Sequence, residues 1–132
     1  MYLLDTNIWL ERLLDQERSD EVGGFLSKVP SDQLFMTGFS FHSVGVAMQK
    51  LHRADEFLKF VDDVFIDGAV TLLRLDPEES KEIVRAAIDF NLDFDDAYQY
   101  VAAINHDLVL VSFDADFDRT VRKRKTPAEI EG

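Results

Sequence analysis

Three short runs of apolar residues constrain this chain more than any other feature: Met1-Tyr2-Leu3-Leu4, Leu34-Phe35-Met36 and Leu108-Val109-Leu110-Val111. None alternates polar with apolar residues, as a strand with one face in water would. A fourth segment, residues 70–75, is also β-rich. Between them lie stretches with helical spacing. Ile8, Leu10, Leu13 and Leu14 follow the first run, with Thr6 or Asn7 as the expected helix cap. Residues 21–29 read as a second helix, stopped by Pro30-Ser31-Asp32. Residues 40–51 and 54–65 are expected as two more. Asp76-Pro77-Glu78-Glu79 opens another, with a cap, a first-turn proline and first-turn acids. Asp93 or Asp95 is expected to cap a helix through Ala97, Tyr100, Val101 and Ile104. Fully apolar strands separated by helices call for a parallel sheet covered on both faces. With 132 residues, 46% of them hydrophobic, and no repeat or linker, the expectation is a single α/β domain over residues 1–132.

Charge narrows the function. The chain holds 26 acidic against 14 basic residues, a net charge of −12. Such a balance disfavours phosphate contacts over most of the surface. Five basic residues nonetheless fall in one short run: Arg119, Arg122, Lys123, Arg124 and Lys125. Residues 86–118 contain no Lys or Arg and eight aspartates: Asp89, Asp93, Asp95, Asp96, Asp107, Asp114, Asp116 and Asp118. Some of these are turn formers and caps. Short carboxylates gathered without counter-charge otherwise repel one another unless a cation joins them, which points to a hard divalent ion. With no cysteine, disulfides, thiolate metal sites and cysteine nucleophiles are excluded. The apolar runs are far short of the ~18 residues that a membrane span needs. The first residues reach Asp5 with no basic region and do not read as an export signal, so a cytoplasmic location is expected.

In an open parallel sheet, sites form outside the carboxyl ends of the strands. Asp5 ends the first strand, Asp114 and Asp116 follow the last, and Asp96 starts the helix that leads to the last. A hard cation with a few carboxylates suits metal-assisted phosphodiester hydrolysis. A calcium loop at Asp114-Ala115-Asp116-Phe117-Asp118 fails, because Arg119 stands where glycine is needed and Lys125 where glutamate is. A phosphoryl-aspartate enzyme built on Asp5 would want an acid where Asn7 stands, and there is no glycine-rich phosphate loop. His42, His52 and His106 are dispersed and read as structural, while Trp9 and most of the eleven Phe read as core.

Leu3-Leu4-Asp5-Thr6-Asn7-Ile8 resembles the opening motif of PIN-domain ribonucleases. Phe94-Asp95-Asp96-Ala97 with Tyr100-Val101-Ala102-Ala103 is similar to their second motif, and Leu110-Val111-Ser112-Phe113-Asp114-Ala115-Asp116-Phe117 to their third. All three stand in register along the whole chain, and the small size is similar to VapC-type toxins of toxin–antitoxin pairs. The resemblance implies a three-layer α/β/α sandwich with a central, mainly parallel sheet. It implies Mg²⁺ or Mn²⁺ held by the catalytic residues Asp5, Asp96 and Asp114 and/or Asp116, with Thr6, Asn7, Ser43 and Ser112 orienting ligands or waters. It further implies cleavage of RNA, a homodimer and inhibition by a cognate antitoxin. Arg119, Arg122, Lys123 and Arg124 are the expected contacts for the RNA backbone.

One departure stands out. The family usually carries a glutamate on the helix after the second strand, and Ser43 occupies that position. Either Ser43 holds a water on the metal, or Asp93 or Asp95 compensates, or metal affinity is weakened. The expectation is retained but attenuated metal binding. The alternatives are a degenerate PIN domain that binds RNA or protein, and a hydrolase of small phosphate esters.

Overall fold

The structure is a computed structural model, and it describes residues 1–130. Four strands form the sheet: β1 (Tyr2–Leu4), β2 (Leu34–Thr37), β3 (Thr71–Leu73) and β4 (Val109–Val111). Their order is β3-β2-β1-β4 and every pairing is parallel. The register sets Leu3 beside Phe35 and Leu110, and Leu4 beside Val111. Beyond β4, Lys125 adds a single parallel bridge to Val111.

Because successive residues of a strand face opposite ways, each short apolar run feeds two cores at once. Leu4, Leu34, Met36 and Val111 pack on one face with Ile8, Trp9, Val22, Phe25, Val44 and Met48. These come from α1 (Thr6–Leu13), α2 (Ser19–Lys28) and α3 (Gly38–Lys50), and α4 (Ala54–Val61) adds Phe60. Leu3 and Leu110 pack on the other face with Ile83 and Ala86 of α5 (Ser80–Asp89), and with Ala97, Tyr100 and Val101 of α6 (Phe94–Asn105). The result is the expected three-layer α/β/α arrangement with a parallel central sheet. Among the described residues no helix is long and apolar enough to cross a membrane.

Several local details differ from expectation, each for a physical reason. Asp5, rather than Thr6 or Asn7, caps α1, since its carboxylate accepts from the Thr6 backbone N–H and β1 runs into the helix without a linker. The expected helix over residues 54–65 stops at Val61 and continues as a π-helical turn, Asp62–Ile66. That turn closes against Gly68, where a Cβ would stand 2.6 Å from the Val64 carbonyl oxygen, so only glycine fits. Asp76 opens a capping box with Glu79 around a 3-10 turn (Pro77–Glu79), and α5 itself begins at Ser80. Asp93 takes the cap position of α6 but makes no side-chain cap bond, and Asp95 lies inside the first turn.

Candidate metal centre

The parallel register brings the carboxyl ends of β1 and β4 side by side, and the Asp5 backbone N–H donates to the Val111 carbonyl at 2.9 Å. Asp5 therefore leaves the sheet next to Ser112. The Ser112 side chain is buried and knits the two segments. Its hydroxyl donates to Asp5 Oδ2 at 2.8 Å and accepts from the Asp114 backbone N–H at 3.0 Å. Asn7 completes the seam, donating to Ser112 Oγ at 3.2 Å and accepting from the Phe113 backbone N–H at 3.2 Å. Thr6 holds Asp5 through its backbone N–H only, at 2.9 Å from Oδ1, while its hydroxyl sits 2.8 Å from Ser40 Oγ. Asn7 and Ser112 thus each tie the start of α1 to the loop after β4.

The third contributor is the start of α6, which carries Asp95 and Asp96 in its first turn. Acids are at home there because free backbone N–H groups face them. Asp114 turns the chain after β4, its carboxylate accepting from the Asp116 backbone N–H at 2.9 Å. Asp114 thus caps the 3-10 turn Ala115–Arg119, and Asp116 lies inside its first turn.

These elements bring Asp96, Asp114 and Asp116 together, with one carboxylate oxygen of each within 4.8 Å of the others. Asp5 lies beside this trio and shares a depression with Asp96, Asp114, Asp95, Thr6, Asn7, Leu10, Phe39 and Ser43. Four of those lining residues are aspartates and none is basic. Asp116 stands at the rim, 3.5 Å from Arg119.

The electrostatics follow. Asp5 is held above the ordinary carboxylate range chiefly by burial, partly offset by hydrogen bonds from Gln99, Ser112 and the Thr6 backbone. Asp96 is pushed up to about 6, by burial first and then by the charges of Asp5, Asp114, Asp93 and Asp116. Around neutral pH these carboxylates stand close together with too little counter-charge. A hard divalent cation wants such a set, all oxygen and with ligand atoms a few ångströms apart. The donor set fits a hard divalent cation, and Asp96 and Asp114 belong both to the carboxylate cluster and to the depression that Asp5 lines.

Ser43 is half-buried and lines the depression. Of the acids considered as compensation, Asp95 reaches the depression, whereas Asp93 is not among its lining residues. All three histidines are exposed, outside both the depression and the core. The basic run is largely ion-paired on the surface. Arg119 donates to the Asn91 carbonyl at 2.7 Å, and Arg122 pairs with Asp107 at 2.6 Å. Arg124 reaches Asp118 and the Ser112 carbonyl, both at 3.3 Å, which brings it to the end of β4.

Three residues of the site are absent from the sequence expectations: Thr37, Ser40 and Gln99. All are buried and joined by hydrogen bonds to one another, and Gln99 bonds Asp5 directly. The available signal was Gln99, a polar residue on the inward face of an Ala-rich helix, three residues after Asp96.

The same architecture occurs in known proteins. A toxin–antitoxin complex from Klebsiella pneumoniae contains a chain with a TM-score of 0.77 and 22% identity, covering 98% of this chain and 100% of that one. FitAB bound to an IR36 DNA fragment gives a TM-score of 0.77 at 16% identity, covering 100% and 99%. FitAcB from Neisseria gonorrhoeae gives 0.74 at 17% identity, covering 98% and 100%. No curated protein sequence matches closely enough to count as a relative. The sequence profile of the PIN domain matches residues 2–123, and with the aspartates of its motifs gathered at one sheet rim, this chain belongs to the PIN-domain family.

Proposed function

We propose that this protein is a Mg²⁺- or Mn²⁺-dependent endoribonuclease, and the toxin of a toxin–antitoxin pair. The observation that carries the reading is the meeting of Asp96, Asp114 and Asp116 within 4.8 Å, beside the buried Asp5. A divalent cation held there supplies Lewis-acid activation of water and neutralises charge on the phosphate. The chain's own residues do the rest. Ser112 and Asn7 fix Asp5 and the loop carrying Asp114. In the metal-free site the Asp96 carboxyl is raised to about 6, so protons compete with the cation for it in mild acid. Arg124 and Arg119 flank the rim, and with Arg122 and Lys123 they offer the RNA backbone its contacts on an otherwise acidic protein. The ion pairs of Arg119 with Asp116 and of Arg122 with Asp107 are exposed and weak enough to exchange for phosphate.

The toxin role draws support from the fold shared with chains of a Klebsiella toxin–antitoxin complex and of FitAB. A cognate antitoxin, a homodimer and a cytoplasmic location belong to the same reading. The experiment is RNA cleavage by the purified protein in Mn²⁺, Mg²⁺ or EDTA, beside Asp96→Asn to control for contaminating nucleases. Metal-dependent cleavage lost in Asp96→Asn, leaving 5′-phosphate ends because water and not the 2′-hydroxyl attacks, supports the reading. Equal cleavage by both proteins, or by neither, contradicts it. Ser43 in the usual glutamate position favours the second reading, a PIN domain that binds RNA or protein without cutting. That reading predicts RNA binding unaffected by chelator.

A further inference from the structure

A buried amide stands against Asp5 that the cation itself does not require. Gln99 is 1% exposed on α6, three residues after Asp96. Its Oε1 accepts from Thr37 Oγ1 at 2.7 Å, and its Nε2 donates to Asp5 Oδ1 at 3.0 Å and to Ser40 Oγ at 2.8 Å. The network fixes which way the amide points. Exchanging its nitrogen and oxygen would leave two acceptors facing each other across 3.0 Å with no proton between them. Thr37 Oγ1 already accepts from the Ser40 backbone N–H at 3.0 Å, so its own proton is free for Gln99 Oε1. Each polar atom of the amide therefore has its partner, and the side chain joins α6 to the end of β2, to α3 and to Asp5.

The consequence falls on Asp5. Oδ1 receives the Thr6 backbone N–H at 2.9 Å and Gln99 Nε2 at 3.0 Å, which together fill its two lone-pair sites. Oδ2 receives one short bond, from Ser112 Oγ at 2.8 Å, and only a long contact from Asn7 Nδ2 at 3.5 Å. The capacity that Asp5 retains is on Oδ2, on the side tied to the β4 loop. A neutral amide achieves this without adding charge to a depression that already holds four aspartates. From α3 the depression receives Phe39 and Ser43 and no charged group, while Ser40 bonds Gln99 behind it.

We propose that Gln99 is a positioning residue of the metal centre. With Thr37 and Ser40 it saturates Asp5 Oδ1, so that Asp5 serves a cation through Oδ2 alone. The inference rests on the metal-dependent reading above. It predicts that cation affinity depends on Gln99, and does so through Asp5.

The test is Mn²⁺ binding, titrated by the EPR signal of the free ion. It compares the wild-type chain with Gln99→Leu and Ser40→Ala, each also made in an Asp5→Asn background. Circular dichroism and the thermal midpoint report folding. Gln99→Leu should weaken Mn²⁺ binding about tenfold or more, as loss of an outer hydrogen-bond partner does. Ser40→Ala, which fits the same space, should act in the same direction by less. In the Asp5→Asn background, either change should leave affinity within about twofold. Lower thermal midpoints with unchanged Mn²⁺ affinity would overturn the proposal, as would equal losses in both backgrounds. Should Gln99→Leu not fold, Ser40→Ala decides on the same criteria. A wild-type chain that binds no Mn²⁺ overturns the metal-dependent reading and this one with it. Mn²⁺ bound equally by wild type and folded variants overturns this one alone.

Discussion

Asp96 carries the sharpest consequence at the scale of single residues. Its carboxyl is raised to about 6 by burial and by neighbouring aspartates, so ordinary acidity is enough to protonate it. Mn²⁺ affinity should fall steeply between pH 7 and pH 5, by about tenfold per unit once Asp96 titrates. Calorimetric titration across that range checks this, and a flat profile would refute it. The effect on stability has the opposite sign. A carboxyl whose pKa is raised on folding destabilises the metal-free protein above the folded pKa, and the penalty disappears as pH falls towards the unfolded value. Asp96→Asn should therefore stabilise the metal-free protein by about 1 kcal/mol at pH 7.5, after allowance for solvent screening, and by nothing near pH 4. Denaturant melts at the two pH values measure it. Ser43→Glu tests the departure in the motif: a carboxylate in that place should raise Mn²⁺ affinity and cleavage together, and no gain would show that this position is not a missing ligand. The aspartates were legible in the sequence because a strand end and a helix start fix where a short side chain points. Gln99, Thr37 and Ser40 were not, because a buried polar residue declares itself only through partners that are distant in sequence.

At the scale of elements, the site depends on a seam between α1 and the loop after β4. Ser112 is fully buried and serves both Asp5 Oδ2 and the Asp114 backbone N–H. Ser112→Ala leaves both without that partner and should cost about 1–3 kcal/mol, with cleavage reduced as well. Chemical denaturation and the cleavage assay read the two effects separately. The π-helical turn Asp62–Ile66 poses a similar question far from the site. At Gly68 the obstacle to a Cβ is backbone, 2.6 Å away at Val64 O, which no side-chain rotation relieves. Gly68→Ala should lower stability by about 1–3 kcal/mol and leave Mn²⁺ affinity unchanged. The strands and most helices could be read from apolar spacing. The turn could not, because the apolar stripe of α4 runs on through Val64 and Phe65 while the backbone widens beneath it to an i→i+5 bond, Asp67 N–H to the Asp62 carbonyl. The cap of α1 falls on Asp5 and not on Thr6 or Asn7, because β1 runs into the helix without a linker.

For the whole molecule, the charge balance is the governing fact. On the proposed reading, a chain with a net charge of −12 binds RNA through a small part of its surface, and the basic run is the candidate. Affinity for a single-stranded RNA should fall with salt. Replacing both Arg122 and Lys123 by Ala should lessen the log–log slope by about 1.4, which corresponds to two lost phosphate contacts. Fluorescence anisotropy with Asp96→Asn, in Ca²⁺ to prevent cleavage, measures that slope, and an unchanged slope would place the RNA elsewhere. The parallel sheet sets the opposing charge in place, because its strands all end at one rim and deliver acids from distant parts of the sequence to a single depression. The central claim is that this depression holds a divalent cation. Its most direct test is a crystal grown in Mn²⁺ and examined by anomalous scattering. A manganese peak is expected against carboxylate oxygens of Asp96 and Asp114, with Asp5 contributing through Oδ2. A depression free of manganese at saturating Mn²⁺, or a peak away from these aspartates, would contradict it.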